Sequence, residues 1–231
     1  MIRRQLELTV EHASGRRPLP ATVDRLVVAG WVGRDKEALQ HHIVELGKLG
    51  VPAPSRTPTY MNLSPMILTT ADTMAVVGPQ SSGEVECVLI KDGDAIYVGV
   101  GSDHTDRAFE TYDIPASKQV CAKPVASVVW ELGEVQGHLG QIVLRSWMTT
   151  GGKRRPYQEG RLAVNIDVLE ILQNIPTADG LDRSRLCLFC GTFPAIDGIE
   201  YGQRFEFEME DPVLQRKISH AYQVTCLPQY L

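Results

Sequence analysis

The run GEVECVLI, residues 83–90, constrains the fold more than any other stretch of this chain. Alternate residues of a strand face opposite sides, so Val85, Cys87 and Leu89 form one apolar face and Val88 and Ile90 the other. A strand that is apolar on both faces belongs inside a sheet covered on both sides. Glu84 and Glu86 stand beside this run and share a face, with carboxylates roughly 6–7 Å apart along the backbone. Ionised carboxylates are rarely buried without compensation. The pair therefore either faces solvent at a sheet edge or shares a cation, and a hard divalent ion, Mg²⁺ or Mn²⁺, is the simplest such cation. The following strand ends in GSDHTDR, residues 101–107. A glycine-containing turn at residues 91–94 would fold it back antiparallel and bring Asp103 to the pair as a third acidic ligand. His104, next to it, is a further candidate ligand.

The remaining pattern is rich in strands. Leu6, Leu8 and Val10 alternate with polar residues, which predicts a first strand, and DRLVVAGWVG at 24–33 predicts a second. Further strands are expected at 84–90, 95–101, 125–130, 141–148, 186–191, 203–210 and 217–225, with a hairpin in TTGGKRRPYQEGR. Ala38, Leu39, Ile43 and Leu46 repeat at helical spacing, so a helix of about a dozen residues should start at Asp35. A second helix is expected at 164–173, with Ile166, Leu169 and Leu172 on one face. The proline-rich segment 51–65 reads as an extended, irregular connection. These elements predict an α+β fold around a rolled or barrel-like sheet, in one domain spanning 1–231. Residues 1–65 would form a strand and lid-helix segment, and residues 66–231 the core.

Composition narrows the function classes. At 43% hydrophobic, 22% charged and net charge −5, the 231-residue chain reads as an ordinary soluble globular protein. Its basic runs are short and scattered, which argues against a nucleic-acid surface. No apolar run reaches the ~18 residues that a membrane span needs. MIRRQLELTVEH has no apolar core after its arginines, so the expected location is cytoplasmic. The five cysteines are an odd number, which suits a reducing compartment. In CLFC, Cys187 and Cys190 are three apart on a predicted strand and face opposite sides, so they read as buried small hydrophobes.

Five motifs in order resemble the fumarylacetoacetate hydrolase superfamily: HIVE (42–45), EVE (84–86), DHTDR (103–107), SKQVCAKP (117–124) and FCGTFPAIDG (189–198) followed by an acidic strand. The similarity covers about residues 28–224. It implies a mixed β-roll core holding one Mg²⁺ or Mn²⁺, in a homodimer that acts on a small carboxylic acid. Family members cleave or decarboxylate 2-oxo and 1,3-dicarbonyl acids through a metal-stabilised enolate, or hydrate and isomerise 2-oxo-enoates. By the same resemblance Glu84, Glu86 and Asp103 are the metal ligands. His42 and Glu45 form the dyad that orients and deprotonates water, with His41 standing beside it. Lys118 stabilises developing negative charge, Arg107 holds the carboxylates or the substrate, and Thr192 contacts the substrate. The chain departs from the family pattern at His104 and Asp106, at Phe193 inserted before Pro194, and near Asn62, where the family carries a lysine.

Overall fold

The computed structural model describes residues 2–48, 53–177, 180 and 182–229, without the side chains of His42, Glu45, Leu46 and Lys48. In chain order the strands are β1 (Arg4–His12), β2 (Gly15–Val23), β3 (Arg25–Gly30), β4 (Thr59–Leu63), β5 (Leu68–Thr69), β6 (Thr73–Val76), β7 (Ser81–Ser82), β8 (Val85–Asp92), β9 (Ala95–Ser102), β10 (Thr105–Asp106), β11 (Lys123–Pro124), β12 (Val128–Glu131), β13 (Val143–Thr150), β14 (Lys153–Arg161), β15 (Arg185–Phe189), β16 (Arg204–Asp211) and β17 (Arg216–Cys226). The helices are α1 (Lys36–Lys48), α2 (Arg107–Glu110), α3 (Ile114–Gln119), α4 (Leu132–Val135) and α5 (Val168–Gln173).

Eight strands form one mixed sheet in the order β2-β1-β12-β9-β8-β15-β3-β4. It curls: the edge strand β2 touches β8 and β15, neither of which is its neighbour. A second, five-stranded sheet runs β14-β13-β16-β17-β6 and packs on the outside of the curl. The chain is therefore mostly β, with a half-barrel sheet at its centre. Strand β8 lies between β9 and β15, which explains its two apolar faces. Val88 and Ile90 pack inside the curl with Leu6, Leu8 and Val10. Val85, Cys87 and Leu89 face the second sheet and meet Leu144, Phe205 and Phe207. Cys187 and Cys190 fall into these two different cores, as their spacing predicts.

The hairpin in TTGGKRRPYQEGR forms between β13 and β14, and Gly151 and Gly152 turn it with φ of 56° and 78°. Positive φ at both central residues matches the twist of a two-residue hairpin and suits glycine. Asp35 caps α1, accepting the amides of Glu37 and Ala38.

Three elements differ from the sequence-based expectation. Residues 15–23 form the edge strand β2 despite Pro18 and Pro20, because an edge strand has a side where no amide is needed. Segment 51–65 is not irregular throughout, since β4 pairs antiparallel with β3 and buries Met61 and Leu63. Pro54 and Pro58 precede the strand and Pro65 follows it, so no proline interrupts the pairing. The second helix starts later than 164: Asp167 caps it by accepting the Leu169 amide, and Val168 and Ile171 are its buried residues. The N-terminal 65 residues supply four strands of the large sheet, with α1 as their one α-helix among the described residues.

Candidate functional site

The hairpin β8–β9 builds the centre of the site. Its register places Val85 opposite Ser102, and the Asp103 amide donates to the Glu84 carbonyl at 3.0 Å. Glu84, Glu86 and Asp103 thus converge, each offering a carboxylate oxygen within 4.8 Å of the others. Asp103 and Glu86 are buried, and Glu84 is partly so. This is the grouping expected from the EVE spacing and the fold-back of the next strand.

Three cations stand around these carboxylates. Lys118, on α3, bonds Asp103 and lies 3.3 Å from Glu84 Oε2 and from Thr105 Oγ1. Arg107, opening α2, meets three partners: Nε donates to Ser82 Oγ at 2.8 Å, Nη1 to Glu110 at 2.9 Å, and Nη2 pairs with Glu84 at 3.1 Å. Lys123 sits 3.3 Å from Asp103 Oδ1 and donates to the carbonyls of His104, Lys118 and Cys121. Burial raises the cost of ionising all three acids, but the outcome differs between them. Arg107 and Lys118 outweigh burial at Glu84 and hold its carboxyl below the usual range. Lys118 and Lys123 do the same for Asp103. At Glu86 burial wins, and the charges of Asp103 and Glu84 push its carboxyl further up.

A dication fits this set. The donors are hard oxygens, and a double positive charge among them relieves the repulsion that raises Glu86. Asp103 Oδ1 has the Lys123 charge beside it but no hydrogen bond directed at it. Glu86 is oriented from the far side, where the Gly191 amide donates to Oε2 at 2.8 Å. Gly191 has φ of 86°, and a Cβ there would meet Val32 at 2.2 Å, so only glycine lets that amide approach.

Gln158 locks the 191–193 turn to the EVE strand. Its Oε1 accepts the Val85 amide at 2.9 Å, and its Nε2 donates to Thr192 Oγ1 at 2.8 Å and the Phe193 carbonyl at 2.6 Å. The Thr192 hydroxyl donates in turn to the Val85 carbonyl at 2.8 Å. That hydroxyl has no proton left for a ligand and can only accept. The carboxylates form the floor of a cavity of about 330 Å³. Trp31, Val32, Leu39, Phe193 and Ile199 make its wall, and the first turn of α1 its margin.

Among the residues singled out from the sequence, Lys118, Arg107 and Thr192 all reach this cavity. His42 and Glu45 lie on α1, but their side chains fall outside the described residues. His104 is not among the converging acids: its Nδ1 is 2.8 Å from the Tyr222 hydroxyl, and burial beside Lys123 and Arg107 pushes its imidazole down to about 3. Asp106 caps α2 by accepting the Phe109 amide. Lys123, Glu110 and Gln158 were not anticipated. The signal for Lys123 was a lone lysine inside the apolar context CAKPVASVV. Gln158 left no local signal, since it acts on strand β8 from β14.

A family model described as "Protein of unknown function (DUF2848)" matches residues 29–222. No curated protein matches the chain in sequence. Several solved structures share its fold. A fumarylacetoacetate hydrolase family protein from Yersinia pestis CO92 is 16% identical, with TM-score 0.63 over 96% of this chain and 100% of that one. A yeast protein of that family is 14% identical, with TM-score 0.60 over 90% and 95%. A 2-keto-3-deoxy-D-arabinonate dehydratase, complexed with magnesium and 2,5-dioxopentanoate, is 15% identical, with TM-score 0.63 over 95% and 79%. The chain belongs to the DUF2848 family and shares its fold with fumarylacetoacetate hydrolase family proteins.

Proposed function

We propose that this protein is a divalent-metal-dependent enzyme that cleaves or decarboxylates a small 2-oxo or 1,3-dicarbonyl acid. The observation that carries this reading is the convergence of Glu84, Glu86 and Asp103 at the floor of a ligand-sized cavity. Glu84, Glu86, Asp103 and Glu110 face Arg107, Lys118 and Lys123, which leaves one negative charge in excess. A dication turns that into one positive charge, which a carboxylate substrate neutralises. Mg²⁺ or Mn²⁺ held by the three acids would polarise the substrate's oxygens as a Lewis acid. The magnesium complex of the dehydratase with this fold supports that choice of ion class.

The chain's own groups then have separate tasks. Lys118 keeps a positive charge where negative charge develops, and its pairing with Asp103 and Glu84 holds the ammonium ionised. Arg107 fixes Glu84, with Ser82 and Glu110 holding its guanidinium in place. Thr192 and Gln158 hold the 191–193 turn, and Gly191 aims Glu86. His42 and Glu45, three apart on α1, would share a helix face and form the pair that deprotonates water. Addition or removal of water at a 2-oxo acid is the second reading, favoured by the dehydratase neighbour; product analysis separates the two.

Calorimetric titration with Mn²⁺ and turnover of acylpyruvates and oxaloacetate test the proposal together. Wild-type protein should bind one ion per chain and need it for turnover. Glu86→Gln should lose both while remaining folded, because the amide keeps the size of the carboxyl and its oxygen can still accept the Gly191 amide. Full turnover by this variant, or by metal-stripped protein, would sink the mechanism.

A further inference from the structure

The cavity has two unlike ends. Its floor is charged, and its wall is built from Trp31, Val32, Leu39, Phe193 and Ile199. Among the described residues, Arg107 and Lys118 are the only cations that line it. Arg107 pairs with Glu84 and Glu110 and bonds Ser82, so it stands at the charged end of the cavity beside Lys118. Lys118 lies at the floor, against Asp103 and Glu84. Both cations therefore stand at one end of the cavity, where together with the metal they can receive one carboxylate. At the other end, a second carboxylate would lose its hydration against apolar side chains with no counter-charge.

Resting on the metal-dependent reading above, we infer that the substrate is a monocarboxylic 2-oxo acid with an uncharged, apolar tail. The acid end lies on the floor, and the tail lies along Trp31, Leu39, Phe193 and Ile199. Dicarboxylic acids such as oxaloacetate are poor ligands by comparison. The discrimination resides in the wall, because the floor offers the same contacts to both classes. Each methylene added to the tail contributes apolar burial until the wall is covered, at about fourfold in affinity per group.

Matched acids of equal length test this on the Mn²⁺-loaded protein, with binding read by calorimetry so that no reaction need be known. Mn²⁺ binding is measured first, and its absence would break the metal reading and this inference with it. With Mn²⁺ bound, 2-oxohexanoate should bind at least tenfold more tightly than 2-oxoadipate, and 2-oxobutanoate more weakly than 2-oxohexanoate. Equal or tighter binding of 2-oxoadipate, or no binding of either acid, overturns the inference and leaves the metal site standing. Ile199→Arg supplies the missing cation at a position that is 48% exposed and outside the packed core. It should raise affinity for 2-oxoadipate at least tenfold and weaken 2-oxohexanoate. An unchanged preference in this variant would place the tail elsewhere and overturn the assignment of the wall.

Discussion

Two clusters of acids and cations in this molecule use the same side chains to opposite effect. One is the buried group of Glu84, Asp103, Arg107, Lys118 and Lys123. The other lies on the outer face of the five-stranded sheet, where Arg145 meets Glu159 and Glu208 at 3.2 Å and also pairs with Glu210. Water screens the outer pairs and competes for them, so their net contribution is small. In the buried group every charge depends on its neighbours, and losing one strands the rest. The outer cluster can be rearranged with little consequence. The inner one is fixed in place, and a fixed array of charge is what a binding site needs.

The contrast is broken most sharply at Lys123. Lys123→Met removes an ammonium that three carbonyls and Asp103 share, and it should cost about 3–5 kcal/mol of stability. Urea unfolding measures this, and a loss below about 1 kcal/mol would mean that the buried cluster behaves like a surface one. Asp211 is an intermediate case. Burial opposes its ionisation, but His138 and the Leu214 and Val213 amides outweigh that and hold its carboxyl below the usual range. Its ionised form therefore stabilises the fold above the ordinary carboxylate pKa near ~3.9, and the contribution is lost as pH falls through the lower folded value. Asp211→Asn should cost about 1–3 kcal/mol at neutral pH and flatten the fall in stability below about pH 4. Parallel acid titrations of both proteins would contradict this. Glu159→Ala, at the exposed end of the outer cluster, should change stability by less than about 0.5 kcal/mol in a thermal melt.

How much of this was legible before the fold depends on distance along the chain. Val85–Ile90 announced a doubly covered strand because its apolar residues occupy both parities, and the EVE spacing with a nearby turn pointed to Asp103. Those contacts lie within one hairpin. Strand β2 was hidden by Pro18 and Pro20, which read as breakers until the strand is known to be an edge. Lys123 carried only the signal of a lysine in an apolar run, and nothing in that run names Asp103 as its partner. Gln158 and Glu110 could not be read at all, since a glutamine's role as a clamp exists only once β14 is packed beside the 191–193 turn. His104 and Asp106 looked like additions to the chemistry and instead bond to Tyr222 and cap α2.

All three converging acids are carried by the single hairpin β8–β9 and its two ends. The acidic cluster thus comes from a short, contiguous piece of chain, held in place by Gly191, Lys118 and Lys123. The wall of the cavity is the reverse, assembled from two stretches, residues 31–39 and 193–199, that lie far apart in the chain. Substitutions in that wall would therefore reshape the cavity without touching the acids at its floor.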